Sequence, residues 1–480
     1  MTDKPTESPA NKAHVDPTRN SQADVLVIGG GPGGYSAAFH AADLGLQVTL
    51  VDPEDNPGGV CLYRGCIPSK ALLHVAKTLT EAAEAASYGV IFAKPQLNLH
   101  EMRSWKDNIV GQLTQGLGQL VQKKKIHHIR GRARFLDAGR VVIEQEDHKS
   151  EWVFSHAIVA TGSRPIALPG FPSFSPRIMN STIALELADV PKSLLVVGGG
   201  YIGLELGTVY AALGTKVTVV EMMPNILPGV DKDLVSVLKR RLDNVFADIL
   251  VRTRVQALKE QKNGIQATLV DKDGHERRRL FHKVLIAVGR VPNSGELGLA
   301  NTRIVKDDRG FIRVDGQRRT HEPNIFAIGD VAGEPMLAHK ATHEGRVAAA
   351  AIAGRKVVFE PRAIPAVVYT DPEIAWCGLT QTEAQQQKRK IKVGKIPWGA
   401  SGRALTMGRN TGLTKIIIEP ESERLLGVGL AGPGAGELIA EGALALEMGA
   451  VAEDLRLTIH PHPTLSETVM EAAETLFKPR

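Results

Sequence analysis

An α/β fold organised around two nucleotide-binding units of one design is predicted by three observations. The first is a pattern used twice, VLVIGGGPGGYSAAFHAADLGLQVTLVD from Val25 to Asp52 and LLVVGGGYIGLELGTVYAALGTKVTVVE from Leu194 to Glu221. The second is the grain of each copy: an apolar strand, a glycine turn, a helix of apolar periodicity, and a second strand ending in an acid. The third is size. A chain of 480 residues, 43% hydrophobic and 23% charged, has ordinary globular composition. Its length suits about three domains.

Within the repeated unit each glycine has its own job. Gly29 and Gly198 allow the tight turn, Gly31 and Gly200 let the main chain approach a pyrophosphate, and Gly34 and Gly203 let helix and strand pack closely. The helix amino terminus then faces the phosphates. Asp52 and Glu221 close the second strands, where a carboxylate accepts hydrogen bonds from an adenosine ribose. This context makes each copy a Rossmann-like dinucleotide-binding unit. Two units imply two dinucleotides, and a redox enzyme holding a flavin, FAD, and a nicotinamide, NAD, is the economical explanation. NAD is favoured over NADP, because Glu221 repels a 2'-phosphate and Met222 and Met223 offer no cation to neutralise one.

A net charge of +6, from 58 basic and 52 acidic residues, argues against a dedicated nucleic-acid binder. The runs Lys123-Lys124-Lys125 and Arg277-Arg278-Arg279 follow polar, loop-like stretches without interleaved aromatics and are read as solvated. No apolar run is long enough to span a membrane. Three cysteines cannot build a secreted disulfide framework. The opening MTDKPTESPANKAHVDPTRN has acids and no apolar core, so residues 1–21 are expected to be a disordered tail and the location cytoplasmic.

Two of the cysteines stand in GGVCLYRGCIPSK, Gly58 to Lys70. Cys61 and Cys66 could be ligands, a staple or a reactive pair. Zinc is disfavoured, since no second Cys or His pair lies at ligand spacing nearby, and no metal is expected. In a reducing compartment a close pair is more often catalytic than structural. In HPHPTLSET, His460 to Thr468, Pro463 imposes an extended or turn geometry between His462 and Glu467. A carboxylate fixing an imidazole makes a base near neutral pH, although a surface His–Glu pair without function reads the same way. In FAIGDVAGEPMLAHKATHEG, Phe326 to Gly345, Asp330 ends an apolar strand beside Gly329 and suits either a ligand-facing carboxylate or a helix cap.

Together these motifs resemble the flavoprotein pyridine nucleotide-disulfide oxidoreductases, and among them the dihydrolipoyl dehydrogenases, over nearly everything from Ala23 onward. The redox motif of that family, GGTCxxxGCxPSK, stands here with Val60 for threonine and Tyr63-Arg64 for the usual Asn-Val. ATGSRP, Ala160 to Pro165, and AVGRVPN, Ala287 to Asn293, resemble the crossings out of and back into the flavin domain. IPAVVYTDPEIAWCGLT, Ile364 to Thr380, resembles the start of the dimerisation domain, and its Cys377 reads as a small core residue. The resemblance implies an NAD domain inserted in the FAD domain, followed by a C-terminal α+β dimerisation domain. The expected segments are 22–160 and 289–358 for FAD, 161–288 for NAD and 359–480 for the interface.

The chemistry implied by the resemblance is oxidation of dihydrolipoamide, carried on lipoyl domains of acyltransferase or glycine cleavage proteins, by a Cys61–Cys66 disulfide. Cys61 is the interchange thiol, and Cys66 lies against the flavin. His462 is the acid/base, oriented by Glu467 and donated across a homodimer. Lys70, on a helix opened by Pro68, sits by the flavin with Glu205 as its partner. Asp330 binds the ribityl chain, and the main chain of Met336, Leu337, Ala338 and His339 lies by the flavin ring. The resemblance adds Gly59, Gly131, Thr161, Gly162, Ser163, Arg290, Val255 and Gly289 to the cofactor-binding set. An NAD(P)H-dependent reductase of another disulfide is the alternative enzyme. A non-catalytic docking subunit is the alternative outside catalysis, and the retained cysteines, Lys70, His462 and Glu467 speak against it.

Overall fold

The computed structural model describes residues 21–168, 170–171 and 175–477. The tail expected over residues 1–21 lies outside them, except for Ser21, which opens the first strand. Two compact units form: one from the residues up to Tyr63 with Gly111–Arg164 and Val291–Phe359, the other from Arg64–Val110, Pro165–Arg290 and Glu360 onward. Arg64–Val110 thus groups with the expected NAD and interface segments. The reason is packing: Leu72, Leu73 and Ala76, on the helix Cys66–Glu84, are buried in one core with Leu204, Val209 and Val368.

The first unit is built on a seven-stranded sheet. Its central strand, Ser21–Ile28, buries Val25, Leu26 and Val27 completely, as an apolar run covered on both faces should. It pairs in parallel with Val48–Asp52 and with Lys149–Val159. His127–Arg130 and Ile325–Ala327 extend the parallel part, and Arg140–Glu144 and Arg132–Phe135 add antiparallel strands. The helices Pro32–Asp43 and Ala338–Ile352 pack closely through small residues, among them Ala37, Ala41, Ala348 and Ala349. Lys123 ends a helix rather than following a loop, and Lys124 pairs with Asp43.

In the second unit the repeated pattern forms a five-stranded parallel sheet in the order Asp248–Leu250, Lys216–Val220, Ser193–Val197, Lys283–Ile286, Ile178–Met179. A three-stranded antiparallel sheet follows, and Arg277 to Arg279 lie on its exposed edge strand Glu276–Phe281, with Arg279 paired to Asp248 at 2.7 Å. The basic run is therefore solvated, as expected, but on a strand instead of after a loop. The C-terminal segment is a five-stranded antiparallel sheet in the order Ala366–Val368, Glu373–Gly378, Leu425–Gly432, Leu413–Ile418, Lys392–Pro397. The helices Ala435–Met448 and Glu467–Glu474 share its core, which also holds Cys377.

Buried Lys415 ties this sheet to the nucleotide-binding segment. Its ammonium lies 2.6 Å from Asp231 and 2.7 Å from Asp233, and Asp231 also accepts from the main-chain N–H of Gln381 and Thr382. A buried charge so paired and hydrogen-bonded is satisfied in place. Among the described residues, no helix is long and apolar enough to cross a membrane.

The helix crossing in the first unit sets a stability test. A Cβ on Gly345 would lie 2.6 Å from the Gly33 carbonyl oxygen and 3.1 Å from the Ala37 nitrogen, both main-chain atoms that can give way only by separating the helices. Gly345→Ala should cost about 1–3 kcal/mol, the usual range for overpacking. Urea unfolding measures it, and an unchanged midpoint would show that the contact has slack.

Candidate active site

The two copies of the repeat fold alike in detail. Gly29 and Gly198 both have φ +106°, a conformation that favours glycine, and a Cβ on either would strike the carbonyl of Ala160 or Ala287 respectively. The N–H of Gly29 donates to Val51 O at 2.8 Å, and that of Gly198 to Val220 O at 2.9 Å. Each turn is then clamped by the acid of the second strand. Asp52 Oδ2 accepts from Gly30 N at 2.5 Å and its Oδ1 from Glu54 N at 3.0 Å. Glu221 Oε2 accepts from Gly199 N at 2.7 Å and its Oε1 from Met223 N at 2.7 Å. Burial pushes the Asp52 carboxyl above its ordinary value, with the two N–H bonds pulling the other way.

The residues fit two dinucleotides. A Cβ on Gly200 would meet nothing within 4 Å, and one on Gly31 only the Gly59 Cα at 3.9 Å, so the space before each helix start is open. Gly59 in turn has no room for a side chain, since its Cβ would lie 2.5 Å from the Gly31 Cα. Gly34 and Gly203 pack against Gly29 and Gly198 as helix–strand contacts. Gly131 donates its N–H to Asp52 O at 3.0 Å. In the second unit, Thr253 N donates to Glu221 O at 3.0 Å, which brings the strand carrying Val255 beside Glu221. Gly289, at φ +117°, accepts from Ile166 N at 3.1 Å, and Arg290 opens the next strand.

Asp330 does not end its strand. Ile325–Ala327 is followed by the 3-10 turn Gly329–Val331, and Asp330 sits in that turn with Oδ2 accepting from Ser163 Oγ at 2.5 Å. Thr161 and Gly162 are held nearby by Asn293, whose N–H donates to Gly162 O at 2.9 Å. Met336 and Leu337 lead into the helix Ala338–Ile352, which begins at Ala338 and His339. One feature here had no sequence signal. Buried Glu344 accepts from Gly329 N at 2.6 Å and pairs with Lys340 at 3.0 Å and Arg318 at 3.4 Å, so a buried ion cluster fixes the turn that carries Asp330.

Cys61 lies half-buried in the helix Gly59–Arg64, and Cys66, exposed, opens the helix Cys66–Glu84. That helix begins two residues earlier than Pro68, which takes a first-turn position where a missing N–H costs nothing. Tyr63 has a local account: its hydroxyl donates to Asn56 O at 2.9 Å, and its ring lies 3.0 Å from where a Gly58 Cβ would stand. The aromatic ring therefore braces the turn that precedes the motif.

Lys70 and Glu205, 135 residues apart in sequence, meet at 2.9 Å. Glu205 is 3% exposed and takes two further donors, Ser69 Oγ at 3.1 Å and the main-chain N–H of Tyr369 at 2.9 Å. The Lys70 ammonium also stands over the Tyr369 ring, 4.5 Å from its centroid. Sequence reasoning found the Lys–Glu pair and missed Ser69 and Tyr369, because nothing local marks a contact across 164 residues.

His462 Nδ1 lies 2.9 Å from Glu467 Oε1 in a turn around Pro463, and the other carboxylate oxygen accepts from Thr464 N at 2.7 Å. An ionised carboxylate only accepts, so Nδ1 carries the proton and Nε2 is the basic nitrogen. The Thr464 N–H and then His462 hold the Glu467 carboxyl below its ordinary value. A lowered carboxyl stays ionised through neutrality, and the pair weakens only as pH falls through that lowered value. His460 is engaged separately, with Glu441 at 2.8 Å.

Comparison with known proteins decides the family. The pattern of the pyridine nucleotide-disulphide oxidoreductases matches residues 23–345, and that of their dimerisation domain matches residues 364–473. The chain belongs to the pyridine nucleotide-disulphide oxidoreductase family. A dihydrolipoyl dehydrogenase of Vibrio parahaemolyticus is 47% identical over 457 residues, covering 95% of this chain and 96% of the relative. Dihydrolipoyl dehydrogenase 2 of Haloarcula marismortui is 47% identical over 453 residues, with 94% and 96% covered. Among solved structures, LpdA of Mycobacterium tuberculosis matches with TM-score 0.87 at 27% identity, over 95% of this chain and 99% of that one. As a member of the family the chain is an oxidoreductase that uses FAD and NAD, with the α/β fold and C-terminal dimerisation domain the sequence predicted.

The third cysteine gives a chemical control for this site. Burial pushes the Cys377 thiol up to about 12, so it is not a nucleophile near neutral pH. After reduction, iodoacetamide at about pH 8 should label Cys61 or Cys66 and spare Cys377. Peptide mass spectrometry reads the outcome, and labelling of Cys377 at a comparable rate would contradict the burial account.

Proposed function

We propose that this protein is a dihydrolipoyl dehydrogenase, which oxidises protein-bound dihydrolipoamide and delivers the electrons to NAD. The observation that carries the reading is the His462–Glu467 contact at 2.9 Å, a base with its proton fixed on the inner nitrogen, in a chain that also keeps Cys61 and Cys66. The similarity to named dihydrolipoyl dehydrogenases over most of the chain supports it. In this reading residues 22–160 and 289–358 bind FAD, residues 161–288 bind NAD, and residues 359–480 form the interface of a homodimer. His462 of one subunit serves the cysteines of the other.

The steps follow thiol–disulfide exchange. His462 Nε2 takes a proton from one substrate thiol, and the thiolate attacks Cys61 Sγ in the Cys61–Cys66 disulfide. The Cys61–Cys66 bond breaks, and Cys66 leaves with the electron pair as a thiolate. The second substrate sulfur then attacks the first, closing oxidised lipoamide and releasing Cys61 as a thiolate, which takes the proton that the second substrate thiol gives up. FAD and NAD, when bound, supply the electron transfer that restores the disulfide. In this reading Lys70, fastened by Glu205 and one helical turn from Cys66, would supply positive charge to the Cys66 thiolate and to the reduced flavin. Glu221 excludes a 2'-phosphate, with exposed Met222 and Met223 beside it. The partners are lipoyl domains of acyltransferase or glycine cleavage proteins, and the compartment is the cytoplasm.

A second reading, an NAD(P)H-dependent reductase of another disulfide, draws on one observation. The HOCl-induced flavoprotein disulfide reductase RclA of Escherichia coli matches with TM-score 0.84 at 25% identity.

Three variants test the reading. Cys66→Ser should end dithiol oxidation while keeping flavin bound, and turnover at the wild-type rate would sink the relay. His462→Gln should lose about 10²- to 10⁴-fold in kcat, the range for general acid–base catalysis. A rate within about threefold of wild type would remove the base assignment. Glu221→Ala should erode the preference for NAD over NADP, and an unchanged ratio of the two kcat/KM values would remove the ribose contact.

A further inference from the structure

Tyr369 belongs to the segment that opens the C-terminal sheet, yet its contacts are with the redox helix. Its main-chain N–H holds Glu205 Oε1 at 2.9 Å, while Lys70 holds Glu205 Oε2 at 2.9 Å. Its ring face lies 4.5 Å below the same ammonium. The Lys70 ammonium therefore has a carboxylate on one side and a π face on another, and its remaining freedom is restricted by both.

The main chain on either side of the ring is held in place. Val368, the preceding residue, is 1% exposed in the core that contains Leu72, Leu73 and Ala76 of the redox helix. Two residues further on, Asp371 pairs with Arg409, and Arg409 also reaches Glu84 at 3.1 Å. Glu84 is the last residue of the helix that Cys66 opens. Arg241 pairs with Glu84 and lies 3.8 Å from Asp371, which closes a cluster of four charges. The segment 368–371 is thus fastened near Lys70 and again at the far end of the helix. The Tyr369 side chain is itself exposed between these anchors, at 38%.

We propose that Tyr369 is a positioning residue for Lys70, setting the ammonium's direction through its ring face and through its main-chain hold on Glu205. The inference rests on the reading of Lys70 as a charge beside the flavin. The ring, not the hydroxyl, is the working part. A cation–π contact of ordinary strength corresponds to about 2- to 30-fold in a rate that depends on the cation's placement.

The experiment uses flavin-loaded holoenzyme and measures single-turnover flavin reduction by dihydrolipoamide, together with steady-state KM and kcat. Tyr369→Leu should slow flavin reduction by about 2- to 30-fold with KM for the dithiol unchanged. Tyr369→Phe, which keeps the ring face, should restore most of the rate. The deciding arm is a double-mutant cycle: in a Lys70→Met background, Tyr369→Leu should add no further loss, because Tyr369 acts through Lys70. Equal losses by Tyr369→Leu in both backgrounds would overturn the proposal, as would a Tyr369→Phe variant as slow as Tyr369→Leu. If Tyr369→Leu does not retain flavin, the cycle is run with Tyr369→Met, whose side chain fills the space without a π face. A wild-type enzyme whose flavin dihydrolipoamide does not reduce would defeat the functional reading instead, so the two failures are distinct.

Discussion

Glu205 is the constraint on which the second unit's chemistry rests. A carboxylate with 3% exposure must have its charge answered, and here a lysine, a serine hydroxyl and a main-chain N–H do so. The lysine and serine come from the helix that Cys66 opens, the N–H from the start of the C-terminal sheet, and the carboxylate from the helix after the second glycine turn. Removing one partner would leave a buried charge uncompensated, which is far more costly than losing one hydrogen bond in water. The requirement of satisfaction is what fixes Lys70.

A second constraint acts at the two glycine turns. In each copy the acid at the close of the second strand, Asp52 as its last residue and Glu221 one residue past it, is spent on main-chain N–H groups of the turn and of its own loop. Its position is therefore set before any ligand arrives, which lowers the ordering cost of binding a dinucleotide. The same arrangement in both units shows that the duplicated pattern carries the geometry of the site as well as its residues.

Much of this was legible because it is local. Glycine spacing, strand-ending acids and the short distance from His462 to Glu467 are encoded within a few tens of residues. The Lys70–Glu205 pair was legible only through resemblance. What could not be read was long-range: Ser69 and Tyr369 on Glu205, the cluster of Glu84, Arg241, Asp371 and Arg409, and Glu344 under Gly329. An amphipathic pattern in Cys66–Glu84 announces a buried face but not its partner, which is why residues 64–110 group with the second unit against expectation. The element ends expected at Pro68 and Asp330 were misplaced by two and three residues for a related reason, since element ends are decided by cap geometry that periodicity does not encode.

The central claim is a direction of electron flow, from a dithiol through a cysteine pair to NAD, and substrate choice tests it most directly. Purified flavin-loaded protein is given dihydrolipoamide with NAD, and separately glutathione disulfide with NADPH, and the two kcat/KM values are compared. The account predicts efficient turnover with the first pair and little with the second. Preference for the second pair would contradict it and make the protein a reductase of another disulfide.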